Sequence, residues 1–396
     1  MIYGLSKRML TEIDKRLLWK IAFNFGYKGM RSVQHFKKRL KKDIYFPPFL
    51  FMSIINSCQL RCQGCWVDVS SPQKMIDIDD LNRIINDAKK HGNSYFGILG
   101  GEPFMHPHLF DLLAAHPDCY FQIFTNGQLI TDAVAARLRK VGNATVLISI
   151  EGNEVVSDQR RGKPEVLNKT LAGLENCRRH KLIIGVATSV CQTNYELVSE
   201  AWLKRLIEMG VHYAWFHTYR VVGPDPAEAL ALTPEQVLNI RKFIVKMRAK
   251  LPIAIVDAYW DDKGEALCPM TTGISHHIGP GGDVEPCPII QFAKEDIRTN
   301  DSIYDTLTQS EFLKDFRQTA AEATQGCIVL ERPDLVEKLV NKHGAYDTTQ
   351  RQAAMAELKK LKARPSQHNS DVQIPEEQWV YKFAKKHWYF GFGAYT

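Results

Sequence analysis

The sequence predicts an α/β protein built on a parallel sheet, either doubly wound or curved into part of a barrel. Three observations carry this. Six short runs rich in β-branched and aromatic residues fall between residues 49 and 220, a helical pattern separates each run from the next, and polar, chemistry-bearing residues follow the runs. A chain of 396 residues has room for a barrel with appendages at both ends.

Taken in order, the expected strands are 50–55, 95–99, 120–124, 145–150, 182–190 and 212–217, with helices near 79–91, 107–116, 131–141, 165–180 and 196–209. Parallel neighbours need crossovers, and the intervening helices supply them. In either architecture ligands gather at the carboxyl ends of the strands, so the residues just after each run are the ones to read for chemistry. Beyond this region, 226–262 reads as a helical connection and 364–377 as a polar linker. No repeat of 20 to 50 residues is visible along the chain.

With 45% apolar and 24% charged residues, the composition is that of a soluble globular protein. No apolar run approaches the roughly 18 residues of a spanning helix. The N-terminus lacks the order of a secretory signal, which leads to the expectation of a cytoplasmic protein with reduced thiols. Nine cysteines in that setting point to metal binding or to buried thiols. Cys119, Cys177 and Cys191 stand singly in apolar or helical contexts and read as ordinary thiols. The other six form two sets.

Charge is uneven. Residues 1–48 hold twelve Lys/Arg against three Asp/Glu, whereas the whole chain carries only +7. Leu17, Leu18, Ile21, Ala22 and Phe25 sit near helical spacing among Lys15, Arg16 and Lys20, followed by a very basic stretch at 35–42. Eight aromatics between Trp379 and Tyr395 mix with Lys382, Lys385, Lys386 and His387. Two readings stand: an interfacial arm and tail resting on the inner, anionic face of a membrane, or terminal helices that pack on the barrel with a solvated basic face. Nucleic-acid binding is not expected, since no motif supports it.

After the first run comes Cys58-Gln-Leu-Arg-Cys62-Gln-Gly-Cys65-Trp66. Three cysteines at this spacing can hold one face of an iron-sulfur cubane and leave one iron without a protein ligand. With a fourth ligand from elsewhere they could hold zinc. The second run ends in Gly100-Gly101-Glu102-Pro103, where glycines allow close backbone approach and the carboxylate can meet an amine. The third ends in Thr125-Asn126-Gly127 and the fourth in Ser149-Ile150-Glu151-Gly152, with Arg160 and Arg161 shortly after. All of these gather polar groups around one mouth.

The Cys-x3-Cys-x2-Cys loop, the GGEP segment and the Ser-Ile-Glu-Gly segment, in this order, resemble the radical S-adenosylmethionine (SAM) superfamily over roughly residues 48–220. The resemblance implies a partial (β/α)6 TIM-type barrel whose [4Fe-4S] cluster on Cys58, Cys62 and Cys65 chelates SAM through its unique iron. It implies further that Gly100, Gly101 and Glu102 meet the methionine amine, Ser149 and Glu151 the ribose, and Arg161 the carboxylate, with Asn126 beside them. The family's aromatic residue before the third cysteine is replaced by Gly64, so Trp66 is the aromatic left for the adenine. The implied chemistry is reductive cleavage of SAM to a 5′-deoxyadenosyl radical that abstracts hydrogen from a substrate.

A second cysteine set follows: Cys268 before a Thr-Thr-Gly turn, Cys287 after a Gly-Gly-Asp hairpin, and Cys327 after a helix. This resembles the SPASM or twitch extension of radical SAM enzymes and implies a small C-terminal iron-sulfur unit with one auxiliary [4Fe-4S] cluster. Its fourth ligand is absent or is His276 or His277, which otherwise read as exposed loop residues. The expected organisation is an arm over 1–48, a core over 49–225, the connection 226–262, the auxiliary unit over 263–345, and a helix, linker and tail over 346–396. The expected partners are a low-potential donor of the flavodoxin or ferredoxin type and a small-molecule, lipid or isoprenoid substrate. Maturation of a ribosomal peptide is the alternative, and a non-catalytic iron-sulfur or zinc protein the remaining one.

Overall fold

Strands form where the β-branched runs fall: β1 Leu50–Ser53, β2 Tyr95–Leu99, β3 Tyr120–Thr125, β4 Ala144–Ser149, β5 Ile184–Val190 and β6 Tyr213–Thr218. A seventh, β7 Ala254–Val256, lies in the stretch expected to be only a helical connection. Three residues are too few to register beside the helix Pro234–Lys250, and β7 exists because it pairs with the edge of β6. In the computed structural model, which describes residues 1–69, 72–257, 259–274, 276–367 and 372–388, β1 to β7 pair in parallel in sequence order.

The sheet curls. Phe51 of β1, Tyr95 of β2, Gln122 of β3, Thr145 of β4, Trp215 of β6 and Val256 of β7 line a single cavity, which a flat sheet would forbid. Of the two architectures expected, the partial barrel is the one present. The C-terminal segment then widens the sheet: β8 His277–Ile278 pairs in parallel with β1, and β9 Asp283–Glu285 returns antiparallel to β8 through the expected glycine turn. Of the remaining short strands, β10 Phe292–Ala293 pairs with β12 Tyr346–Asp347, and β11 Glu295–Asp296 pairs with β9.

Side-chain caps fix several crossover helices. Thr131 caps Asp132–Val141, Ser199 caps Glu200–Glu208, and Thr233 with Gln236 forms a reciprocal capping box on Pro234–Lys250. The register brings Ser53 opposite Leu99, Thr125 opposite Ile148 and Ser149 opposite Ala187, so the strand ends form one rim.

The basic arm folds as helices Ile2–Glu12, Lys15–Lys20 and Lys28–Leu40 joined by a π-helical turn, Ile21–Tyr27. Its apolar set turns inward: Ile13 and Leu17 are buried, and Leu18 and Ile21 pack on the core, while Ala22 is exposed. Several of its cations meet carbonyls at the C-terminal ends of crossover helices or in the turns that follow them. Lys20 Nζ donates to Val141 O at 2.7 Å, Lys28 Nζ to Asp118 O at 2.8 Å, and Arg39 Nη1 to His91 O at 2.9 Å. Arg8 Nη1 donates to Val211 O at 3.0 Å. Helix C-termini carry unpaired carbonyls and partial negative charge, and the arm supplies cations to them. Among its exposed side chains is a stacked row of Trp19, Phe23 and Tyr27.

The C-terminal helix Trp379–His387 is tied to the barrel by a fully buried charge cluster. Arg241 Nη1 bonds Asp257 at 2.7 Å and Glu376 at 2.6 Å, Arg248 bonds Glu376, and Lys385 Nζ bonds Asp257 at 2.6 Å. The aromatic tail runs past this helix, and its Tyr389, Phe390, Phe392 and Tyr395 lie outside the described residues, as do 368–371 of the expected linker. Among the described residues no helix is long and apolar enough to cross a membrane.

Candidate active site

The loop after β1 is closed at its base by Asn56, whose Oδ1 accepts from Lys74 N at 2.8 Å. It presents Cys58, Cys62 and Cys65 to a cavity of about 540 Å³ at the carboxyl end of the sheet. Trp66, Gly100, Gly101, Asn126, Ser149 and Arg161 line the same space. The two glycines are required by the cysteine loop itself. A Cβ on Gly100 would stand 2.4 Å from Ile55 O and one on Gly101 2.2 Å from Ser57 O, while Gly101 N donates to Ile55 O at 2.7 Å.

Burial pushes the Cys65 thiol up to about 12, reinforced by Cys62 nearby, and raises Cys58 as well. Polar groups already face the sulfurs. Asn126 Nδ2 lies 3.9 Å from Cys58 Sγ and Arg161 Nη1 lies 3.7 Å from Cys62 Sγ. Burial opposes the charge of Arg161, but Cys62 and Glu151 outweigh it and hold the guanidinium protonated.

Glu102 stands behind the cavity wall. It is fully buried, with Oε1 accepting from Thr125 Oγ1 at 2.8 Å and Phe104 N at 3.2 Å, and Oε2 from Asn126 N at 2.9 Å. Burial pushes its carboxyl up to about 7. Glu151 is gripped from both sides, by Arg160 at 2.6 Å on Oε2 and Arg161 at 2.6 Å on Oε1. Arg161 therefore reaches both Glu151 and the Cys62 thiol, and Arg160 shares the grip on Glu151.

Cys268, Cys287 and Cys327 line an adjoining cavity of about 430 Å³ whose wall also includes Cys62, Cys65, Trp66, Ser149 and Glu151. The two cysteine sets thus border one continuous region. Cys268 is pushed up to about 12 by burial and by Cys327. The Cys327 loop is braced from outside: Cys327 N donates to Ser366 Oγ at 2.9 Å, and the hydroxyls of Thr324 and Ser366 both bond Glu331.

The histidine expectation needs correcting. His276 and His277 are buried rather than exposed, and neither lines the cysteine cavity. Both ring nitrogens of His277 are engaged, Nε2 with Ser53 Oγ at 2.7 Å and Nδ1 with Glu285 Oε2 at 2.5 Å, because the strand β8 carries the ring into the sheet. Burial pushes His276 down to about 3.

Two residues not singled out as site residues do lie on this wall. Gln367 is buried, its Oε1 without a hydrogen-bond partner among the described residues, and Arg220 stacks 4.6 Å above the Tyr259 ring beside Cys327 and Cys287. A glutamine at the edge of a polar stretch carries no sequence signal, whereas Arg220 lies two residues past β6, a strand-end position open to a reading as a substrate contact. Cys119, Cys177 and Cys191 are buried thiols, as expected.

Among the described residues no three His, Cys, Asp or Glu side chains are grouped to hold a metal ion. A cubane spreads its ligands over separate corners, and six thiols in two sets of three on a shared wall, with amide and guanidinium donors facing them, fit such clusters.

Residues 52–191 match the model of the Radical SAM superfamily, and this part of the chain is a radical SAM domain. Proteins of this superfamily hold a [4Fe-4S] cluster and SAM. Among similar proteins are the AdoMet-dependent heme synthase of Methanosarcina barkeri, 27% identical over 49% of this chain and 57% of that one, and a tungsten-containing aldehyde ferredoxin oxidoreductase cofactor-modifying protein of Pyrococcus furiosus, 29% identical over 60% and 70%. The chain spans about half the length of the first curated relatives it matches, 57% and 45%. In fold it is similar to Streptococcus suis SuiB bound to S-adenosylmethionine, with a TM-score of 0.61 and 18% identity over 72% of this chain and 71% of that one.

Proposed function

We propose that the chain cleaves SAM reductively at the Cys58, Cys62 and Cys65 loop and directs the resulting radical at a substrate held between the two cysteine sets. The observation that carries this reading is the shared wall: Cys62 and Cys65 border both cavities, so a group lying against Cys268, Cys287 and Cys327 is next to the place where SAM would sit. When bound, the cluster supplies one electron to the sulfonium of SAM, and the 5′-deoxyadenosyl radical released abstracts hydrogen from substrate.

The residues divide the remaining work. Gly100 and Gly101 offer backbone to the methionine part, and an ammonium brought to Glu102 would restore the charge that burial suppresses. Ser149 and Glu151 serve the ribose, with Arg160 and Arg161 fixing the Glu151 carboxylate. Arg161 stands where it can also meet the SAM carboxylate, Asn126 orders the Cys58 side of the loop, and Trp66 is the aromatic surface for adenine. Cys268, Cys287 and Cys327 would hold an auxiliary [4Fe-4S] cluster, with Gln367 Oε1 as the oxygen donor on that wall. Residues 49–225 act as the core and 263–345 as the auxiliary unit. Electrons come from a low-potential flavodoxin- or ferredoxin-type donor.

A buried guanidinium with aromatic neighbours suits an amphiphilic small molecule with an anionic or acceptor group, a lipid or isoprenoid precursor included. Peptide maturation is the second reading, supported by the fold's similarity to SuiB bound to its precursor peptide, TM-score 0.60. The test is anaerobic reconstitution with iron and sulfide, then assay of 5′-deoxyadenosine from SAM and dithionite. The product is expected from the native chain and not from Cys62→Ala. No product from a fully iron-loaded native chain would refute the reading.

A further inference from the structure

Apolar exposure on this molecule is concentrated in one region. Of the thirteen large hydrophobic side chains exposed among the described residues, eight lie on the basic arm or the last helix, so the surface to explain is theirs. Three of the eight form a single object. Trp19, Phe23 and Tyr27, exposed at 69%, 41% and 49%, stack in a row with centroids 5.9 and 5.7 Å apart and planes within 10° and 20° of parallel. They are four residues apart, slightly more than one α-helical turn at about 3.6 residues per turn. The wider π-helical turn Ile21–Tyr27 takes up the excess that would otherwise rotate the row off its face. Lys15 and Arg31 continue the four-residue spacing at either end, and Arg31 Nη1 donates to Tyr27 OH at 3.3 Å.

The cations around the row divide into two groups. Residues 15–42 hold ten Lys/Arg and no Asp/Glu. Five of the ten are used by the fold: Arg16, Lys20, Lys28, Lys37 and Arg39 donate to backbone carbonyls of the barrel and the last helix. The other five, Lys15, Arg31, Lys38, Lys41 and Lys42, are exposed and make no ion pair among the described residues. A surface without acids, with spare cations beside exposed rings, is complementary to an anionic partner.

Ring geometry selects among anionic partners. A nucleobase held between two rings needs them about 7 Å apart, twice a contact distance of ~3.5 Å, whereas these rings are closer than that and already face one another. What they offer outward is edges and, on Trp19 and Tyr27, an N–H and an O–H. Amphipathic rings of this kind, with lysine and arginine beside them, settle at the headgroup level of a bilayer. The place in the fold argues against a redox partner. The carbonyls that hold the arm, at His91, Asp118 and Val141, lie just ahead of β2, β3 and β4, so the row sits at the amino end of the strands, opposite the cysteine loops.

We propose that the Trp19, Phe23 and Tyr27 row, with its five exposed cations, is a docking surface for an anionic lipid bilayer. The rings lie among the headgroups, and the cysteine cavities are held at the end of the barrel away from the membrane. The surface is not the Leu17, Leu18 and Ile21 stripe, which packs on the core. The inference is independent of the SAM reading, since it concerns where the chain rests and not what it reacts with.

The test is co-sedimentation of the iron-reconstituted protein with vesicles of phosphatidylcholine containing roughly a third phosphatidylserine, against phosphatidylcholine alone, at about 0.1 M salt. Binding to the anionic vesicles is expected to exceed binding to the neutral ones at least tenfold. Two multiple variants remove one component each: Trp19→Ser with Phe23→Ser, and Lys38→Glu with Lys41→Glu and Lys42→Glu. Each should weaken binding at least tenfold. All five side chains are exposed, so the melting temperature and iron uptake should stay near native. Four outcomes overturn the proposal. They are no preference for anionic vesicles, native-like binding by both variants, quenching of tryptophan fluorescence by oligouridylate that is lost with Trp19→Ser, and a dimer in solution that the Trp19→Ser, Phe23→Ser variant dissolves. The last two would make a nucleic acid or a second copy the occupant.

Discussion

Glu102 accepts hydrogen bonds from Thr125, Asn126 and Phe104 but makes no ion pair among the described residues, and burial outweighs those bonds to lift it from 4.5 to about 7. A carboxyl raised on folding binds more protons in the native than in the unfolded state between those values. Its contribution to stability therefore falls as pH rises from about 4.5 to 7, by roughly 3 kcal/mol in all. In the metal-free protein, Glu102→Gln should abolish this slope, so that the gap between variant and native melting temperatures shifts in the variant's favour from pH 5 to pH 8. A parallel pair of curves would show that Glu102 stays ionised. At the second cysteine set, Arg220 is a buried cation beside Cys327 and Cys287. Arg220→Gln should leave the iron count unchanged but move the auxiliary midpoint potential negative by on the order of 60 mV, a tenfold change for one electron. An unmoved potential in a redox titration followed by EPR would leave Arg220 with substrate alone.

At the scale of elements, the two termini show how the same pattern admits two outcomes. An apolar stripe flanked by lysine and arginine suits a bilayer surface and suits a rim of helix C-termini equally well, and in the fold cations of the arm meet such carbonyls at Val141 and His91. The arm was legible as helix, but its destination was not. Lys20→Met keeps the apolar stem and removes the charge from Val141 O, and should cost about 0.3–1 kcal/mol in urea unfolding. The buried cluster at the other end is more demanding. Lys385 is fully buried against Asp257, with Arg241, Arg248 and Glu376 around it, and Lys385→Met should cost roughly 3–5 kcal/mol because it breaks a buried ion pair. A loss under 1 kcal/mol would mean that water or the neighbouring arginines compensate. Nothing in the sequence separates Asp257, Glu376 and Lys385 from surface charges, since Glu376 meets Arg241 and Lys385 meets Asp257 across more than a hundred residues.

For the molecule as a whole, strand positions and the polar segments after them were legible because parallel strands buried on both faces announce themselves as continuous apolar runs, and polar segments then mark their ends. The barrel's curvature came from the family resemblance and not from local pattern, and the three-residue β7 and the extension of the sheet by β8 were not legible, because each is set by pairing with a distant edge. Both cysteine triplets stood out by spacing and turn chemistry, and each lines a cavity in the fold. The arginine grip on Glu151 and the Glu331 brace behind Cys327 did not, since both are tertiary. The central claim is that the two triplets hold two iron-sulfur clusters and that the first of them binds SAM. Anaerobic iron analysis with low-temperature EPR of the reduced protein, with and without SAM, tests it most directly. About eight irons per chain are expected, falling to about four when Cys268, Cys287 and Cys327 are changed to Ala, with SAM altering the signal that remains. Zinc in place of iron, or a signal indifferent to SAM, would contradict it.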